Sequence, residues 1–467
     1  VTVLPVLPQI IVEAGLVSGT PVQPAPVLLL NDAARGLLNT GTLGDSVFWT
    51  SLSPYVRSFT VTRPSTRLQG PLWNFQAATV SILLDNSDGR FDPDNLAGPY
   101  VSSGATQLVP MVPVRVRANF GSAAYALYSG FADGWIPGQV TYEGGYAELT
   151  LPATDAFKVL AGITLPAVAI EGSGTDTGAR IRDILTRANW YTSADRNLIS
   201  TGNSNLQGTT LGADALSLMQ VAADSEIGQL YVNGAGAVVF RARRDPLTDA
   251  RSSTVQAVFG DLPGNSAAVF DETGAGITDE TGASIIDETS TVASQELPYA
   301  AIGRASDDTT LVNDIQAACA GGTPQEAKDA ASIAKYLFPR TYARSDLILQ
   351  GDAEALAWAN WLLYLGKDGS DRFDSLQVDP QADPLNLWPQ VLGREIGDRI
   401  QVRQRPAGVA SPVSKDCFIT GITHAWDSAA STWLTTWTLT GASKYVNSFF
   451  TLNDATLGKL GSVPLVF

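Results

Sequence analysis

The sequence has a single histidine, His424, and two cysteines, Cys319 and Cys417, in 467 residues. Zinc, copper and haem sites assembled from His and Cys clusters are thereby close to excluded. The cysteines lie 98 positions apart, which gives no readable disulfide framework and points to a reducing compartment at synthesis. Basic residues are scarce as well: 30 Lys and Arg stand against 46 Asp and Glu, a formal net charge of −16. A chain this acidic lacks the basic face that a sequence-reading DNA binder needs. Long apolar runs are missing too. The most apolar stretches, 26–30 and 358–365, fall far short of the ~18 residues of a membrane span. Residues 1–15 have no basic n-region and carry Pro5 and Pro8 in their apolar part, so they do not read as a signal peptide. The expectation is a soluble protein made in the cytosol, or one that joins an assembly there.

Signatures of catalysis are equally thin. No Gly-x-Ser-x-Gly elbow or P-loop occurs, and Gly172-Ser173-Gly174 lacks the spacing of a dinucleotide fingerprint. A Ser–His–Asp triad would have to use His424, which falls at an expected strand and reads as structural. No spacing nominates two facing carboxylates for glycoside hydrolysis. The run Asp85-Asn86-Ser87-Asp88-Gly89-Arg90-Phe91-Asp92-Pro93-Asp94 is dense in carboxylates but lacks EF-hand spacing and its terminal Glu. It reads as a polar loop whose Asp and Asn side chains accept backbone bonds while Arg90 pairs internally. No catalytic residue, metal or cofactor is expected.

What the chain does have is apolar material, 45% of its residues, with 43 Gly and 26 Pro. At ~150 residues per domain its length suggests about three domains. Period-two patterning dominates the first third. Val80, Ile82 and Leu84 share one strand face, with Thr79, Ser81 and Leu83 on the other. Val112, Val114, Val116 and Ala118 alternate with Pro113, Arg115 and Arg117, and Gly144-Gly145 marks a hairpin. Helical spacing follows: Ile181, Ile184, Leu185 and Ala188 form an i, i+3, i+4, i+7 stripe behind an Asp176 or Thr177 cap. A second helix is expected over 214–223, then strands at 229–232 and 237–241 around an Asn233-Gly234 turn. A third helix is expected over 352–365, capped by Asp352 and stopped at Gly366. Strands return around Ile400 and Val402, over 418–423 and over 433–440. Trp433 and Trp437 share a strand face with Thr435 between them. Exposed, the pair would stack on sugar rings; buried, it is core.

Two repeats stand out. Asp271-Glu272-Thr273 recurs as Asp279-Glu280-Thr281 and Asp287-Glu288-Thr289, a period of eight. Three copies are too few for a solenoid. The alternatives are a calcium-binding roll or contact arm, and short strands with acidic turns on a surface extension. The second repeat is longer-range. Val114–Arg117 followed by Ser129-Gly130-Phe131 and Trp135 parallels Ile400–Arg403 followed by Thr420-Gly421-Ile422 and Trp426, with hydroxyl, Gly, apolar and Trp at identical spacing 291 residues on. Ile82–Asp85 loosely matches Leu376–Asp379. The pattern reads as two copies of one β-barrel-like domain separated by an insertion.

The stretches 55–63 and 78–93, above all the Asp-Asn-x-Asp-Gly-Arg-Phe-Asp-Pro run, together with 114–117, 128–131, 329–336, 419–426 and 452–460, resemble minor tail proteins of long-tailed, non-contractile actinobacteriophages. The resemblance implies a tail-tip hub, similar to the baseplate hubs of contractile phages, in which a homotrimer of duplicated barrels joins the sixfold tail tube to threefold tip components. It implies a virion location at the tail tip. The implied partners are the distal tail or tube protein, the tape measure protein and tip fibre or receptor-binding proteins, with DNA only passing through the lumen. A hexameric distal tail protein, a carbohydrate-binding adhesin and a cell-wall hydrolase are the rival readings.

The expected fold is mainly β with an α/β insertion: two related β-barrel domains plus a small α+β middle domain. The divisions are an N-terminal extension at 1–54, a first barrel at 55–155, an inserted α/β domain at 156–245, an extended segment at 246–345, a second barrel with its preceding helix at 346–445, and a tail at 446–467. Candidate contact or ligand-stacking positions are Trp433, Trp437, Asp271, Glu272, Asp279, Glu280, Asp287 and Glu288.

Overall fold

The computed structural model describes residues 7–16, 49–261 and 296–445, apart from short gaps at 69, 103, 139–146, 168–171, 191–195, 370 and 410. The Gly144-Gly145 turn, the Asp-Glu-Thr repeat and the tail from 446 lie outside the described residues.

Alternating residues build the strands. In β1 (Gln9–Ala14), β2 (Val56–Arg63) and β3 (Thr79–Asp85) one face is apolar; in β3, Val80, Ile82 and Leu84 are buried while Thr79 and Ser81 are exposed. β4 (Pro113–Phe120) buries Val114, Val116 and Ala118. β5 (Ala123–Ala132) continues after a break as β6 (Ile136–Pro137), and β7 (Glu148–Thr154) returns alongside both. These strands form an antiparallel unit in the order β4-β5-β7-β3-β2, with β1 laid along β4.

An α/β segment follows. It holds α1 (Ala156–Ala161), α2 (Thr177–Arg187), β8 (Asn197–Ile199), α3 (Ala215–Glu226), β9 (Gln229–Val232) and β10 (Val238–Arg241). The helix starts are set by carboxylates: Asp176 accepts from the Ala179 amide and Asp214 from that of Ser217, at 2.9 and 2.8 Å. β11 (Val258–Gly260) then runs parallel to a strand of the second unit.

That second unit begins with β12 (Ala301–Ser306), which is followed by a compact excursion: β13 (Asp314–Cys319), β14 (Gln325–Lys328), α4 (Ala330–Tyr336), β15 (Thr341–Leu347) and α5 (Asp352–Gly366). The chain returns through β16 (Asp371–Val378), α6 (Pro384–Gly393), β17 (Arg399–Gln404), β18 (Val413–Asp427) and β19 (Thr432–Gly441). The strand order is β17-β18-β19-β16-β12, antiparallel throughout. The first to fifth strands of each unit therefore occupy the same places. The repeated Gly130 and Gly421 both fall in the fourth strand. Trp135 lies at the break between β5 and β6, and Trp426 lies near the end of β18. The looser upstream match slips by three residues. Phe131 pairs with Thr154 and Thr154 with Thr79, whereas Ile422 pairs with Trp437 and Trp437 with Leu376. Thr79, not Ile82, holds the place of Leu376.

The expectation of two barrels is corrected. Among the described residues neither unit closes. β18 is long enough that its first half pairs with β17 and its second half with β2, Arg63 opposite Ile422 and Ser58 opposite Asp427. The edge that closure would use is taken by the other unit, and both merge into one 15-stranded sheet. They share one apolar core, in which Phe59 of the first unit meets Trp433 of the second edge to face at 5.6 Å.

A second core joins the α/β segment to the excursion, with Ile181, Leu185 and Met219 packed with Ile315, Trp358 and Leu362. The helix assigned to the second barrel thus docks in this second core. Asp352 is not its cap either. Gly351 occupies that position, and Asp352 accepts instead from the Thr323 amide at 3.0 Å. α6 is a helix beyond the three expected from the sequence: Pro384 opens it, Pro389 lies inside it, and Leu387, Trp388, Val391 and Leu392 are buried.

β1 is fastened by charge. Glu13, with no exposed surface, takes Arg115 Nε at 2.6 Å and Arg117 Nη2 at 2.8 Å. Removing the carboxylate leaves two cations without their shared partner. Glu13→Ala is expected to cost about 3 kcal/mol, read as a lower urea midpoint; an unchanged midpoint would show that β1 is held by its backbone pairing alone.

Candidate assembly site

The two units meet where β2 pairs with the second half of β18. β2 points Phe59, Val61 and Arg63 to one side and β18 points Ile422, His424 and Trp426 to the same side, because the two strands are in antiparallel register. Phe59 packs on Trp426 with ring centres 5.4 Å apart, and Trp433 stands on Trp388 at 5.3 Å. Arg63, only 4% exposed, pairs with Glu395. A buried Arg on the apolar phase of a strand was a legible signal that sequence reasoning passed over.

Three polar side chains of this junction form a hydrogen-bonded chain. Trp433 Nε1–H donates to Thr435 Oγ1 at 2.8 Å, and Thr435 Oγ1 lies 2.9 Å from His424 Nδ1. A Thr435 hydroxyl proton directed at Nδ1 completes the chain and keeps the imidazole neutral. Burial, reinforced by the Arg63 charge, lowers the His424 pKa to about 3. This histidine is sealed in the core and no carboxylate orients it, so the triad reading has no geometric support. Nearby, Asp155 accepts from the amides of Ala78 at 2.7 Å and Phe157 at 2.9 Å, and burial raises its pKa to about 7 despite those bonds.

Trp433 and Trp437 are corrected as stacking positions. They are 2% and 0% exposed, so neither indole face is open to a sugar ring. Their alternation matched both readings, and burial follows from α6 and β2 covering Trp433 and from Phe259 of β11 meeting Trp437 edge to face at 5.3 Å. Asp271, Glu272, Asp279, Glu280, Asp287 and Glu288 lie outside the described residues.

The acidic loop at 85–94 folds on itself. Asp85 accepts from the Ser87 amide at 2.9 Å and from Arg57, and Asp88 holds Arg90. Asn86 Oδ1 accepts from the Phe91 amide at 2.8 Å, and Phe91 is driven fully into the first unit against Tyr55, Tyr100 and Trp135. The loop is a plug whose polar groups are used in placing one phenyl ring. Among the described residues no group of three His, Cys, Asp or Glu is placed to hold a metal ion.

The junction leaves one complementary surface. β12, the first strand of the second unit, pairs only with β16 among the described residues, and Ala301, Arg304 and Ser306 on it are exposed. Its counterpart β2 has a strand on both sides. An unpaired strand edge is a template for another strand.

No protein-family model and no curated protein matches the sequence. In fold, the chain is similar to the tail protein from Neisseria meningitidis MC58, with a TM-score of 0.50 at 13% identity over 83% of this chain and 96% of that one. It is similar also to the 43 kDa tail protein of prophage MuSo2 from Shewanella oneidensis, with a TM-score of 0.50 at 12% identity over 93% and 98%. A component of the type VI secretion system from E. coli aligns more loosely, with a TM-score of 0.37 at 12% identity over 84% and 75%. At these identities the likeness is one of fold.

The two buried titratable groups give opposite pH dependences. His424 is neutral in the fold, so its contribution is present above pH 6.5 and is lost as pH falls towards 3. Asp155 holds its proton more tightly when folded, so its contribution is present below pH 3.8 and is lost as pH rises through 7. In wild type the two oppose each other between pH 4 and 6.5. Asp155→Asn is expected to steepen the loss of stability on acidification, and His424→Gln to reverse its sign, in urea titrations across that window. Parallel curves for all three proteins would show that neither group titrates as described.

Proposed function

We propose that this chain is a structural protein of a phage-type tail, a hub at the tail tip that forms a ring of three copies. The carrying observation is the head-to-tail junction of two like units. Each unit has the same strand order, and the first strand of one lies along the fourth strand of the other. Such a junction is heterologous: each partner uses a different surface, and repetition closes a ring when the rotation allows. Within one chain the junction is made once, and β12 is left as the unused copy of the surface that β2 uses. Three chains then present six like units, which suits a sixfold tube above and threefold components below. The fold likeness along nearly the whole length of two tail proteins supports the same reading.

In this reading the neighbours are the tube or distal tail protein, the tape measure protein and tip fibre or receptor-binding proteins, and DNA passes through the lumen. The chain acts as a scaffold, with no chemical step of its own. A hexameric distal tail protein is the second reading. Two units per chain favour the trimer, because six such chains would present twelve.

The test is stoichiometry. Sedimentation velocity is expected to resolve a concentration-dependent trimer, and intact tails are expected to hold three copies at the tip by cryo-EM. Ala301→Lys with Ser306→Lys places charge on the open β12 edge and is expected to weaken the trimer at least tenfold without lowering the urea midpoint. Six copies or one at the tip, or a double variant that assembles like wild type, would overturn the ring.

A further inference from the structure

Between the two cores lies a cavity of about 600 Å3, walled by the hairpin Ser65–Arg67 and Trp73–Phe75, by the start of β16, by β18 and by the Ile227–Gln229 turn of the α/β segment. Its size falls within the ~300–1,000 Å3 range of small-ligand sites, and such sites favour the seams between folded units. Arginine and lysine outnumber aspartate on the wall by six to four, with Arg67, Arg372, Arg399 and Lys415 beside the aromatic side chains of Trp73 and Phe418.

The cations are not equally matched. Asp416 holds Arg399 at 2.5 and 3.0 Å and Gln401 at 2.9 Å. Asp371 holds Arg304 at 2.6 and 2.8 Å and Lys415 at 3.2 Å. Arg372 takes both oxygens of Asp307 and, at 2.8 Å, Oδ1 of Asp374. Among the described residues Arg67 hydrogen-bonds only that same Oδ1 atom, at 3.5 Å, and its guanidinium carbon lies 4.6 Å from the centre of the Trp73 ring. Its side chain is 12% exposed. Burial and the neighbouring Arg372 charge both lower its pKa, so the site carries a guanidinium with less negative charge nearby than its burial calls for.

We infer that the cavity is a binding site for a small oxyanion, a phosphate or a carboxylate, that completes the coordination of Arg67. The planar fork of a guanidinium matches two oxygens of either group. Asp374 is held by the closer Arg372, so Arg67 is left to turn its donors to the ligand. The inference is independent of the ring assembly.

The probes are inorganic phosphate and malonate, titrated into the full chain at constant ionic strength and followed by 31P line broadening and by calorimetry. Saturable binding is expected, with phosphate alone or malonate alone identifying which oxyanion the site takes. Arg67→Gln is expected to lower the affinity at least tenfold, and Arg187→Gln, at an exposed pair on α2, to leave it unchanged. Saturation by neither probe, an unaltered affinity in Arg67→Gln, or equal weakening by Arg187→Gln would overturn the site. If Arg67→Gln does not fold, wild-type crystals soaked in tungstate decide the matter. An anomalous peak within hydrogen-bond reach of Arg67 is expected, and a peak elsewhere or no peak would reject the proposal.

Discussion

β18 is fifteen residues long, and the architecture depends on what its two halves pair with. Backbone amides and carbonyls of a buried strand must find partners. The first half finds them on β17 within its own unit, and the second half projects beyond β17 and finds them on β2. That overhang makes one sheet out of two units and carries Trp426 over Phe59. It also brings Trp433 and α6 onto the same apolar surface. The junction is therefore backbone pairing and side-chain core at once, which explains why the two units share a single core while the α/β parts form another.

The same constraint accounts for what was legible. Helix starts at Asp176 and Asp214 were readable because a cap is a contact two or three residues long. The like strand order of the two units was legible in part: Gly130 and Gly421 sit in the fourth strand of each, whereas Trp135 falls between strands and Trp426 within β18. Barrel closure was not readable, since it turns on which distant strand reaches an edge first. Asp352 looked like a cap because it precedes an apolar helical stripe, yet its carboxylate is drawn to Thr323 across the fold. The Trp433 and Trp437 alternation fitted an exposed face and a buried face equally well, and distant elements decide between them: α6 and β2 cover Trp433, and β11 brings Phe259 to Trp437. Arg63 with Glu395 and Arg67 with Asp374 join residues more than three hundred positions apart, and no local pattern announces such pairs.

Charge follows from packing in a way that bears on the assembly. Among the described residues six arginines and six carboxylates are buried, and no lysine is. Buried arginines and carboxylates are thus equal in number, and pairs such as Glu13 with Arg115 and Arg117, or Arg63 with Glu395, neutralise charge inside. Among the described residues the excess of acid over base is therefore left outside the two cores. A surface so biased repels phosphate backbones over a Debye length of about 8 Å at physiological salt. In the ring proposed above, this repulsion would keep DNA in the lumen from sticking to the wall. The cationic cavity between the cores does not oppose it, because its guanidinium groups lie behind the Trp73 hairpin rather than on an outer face.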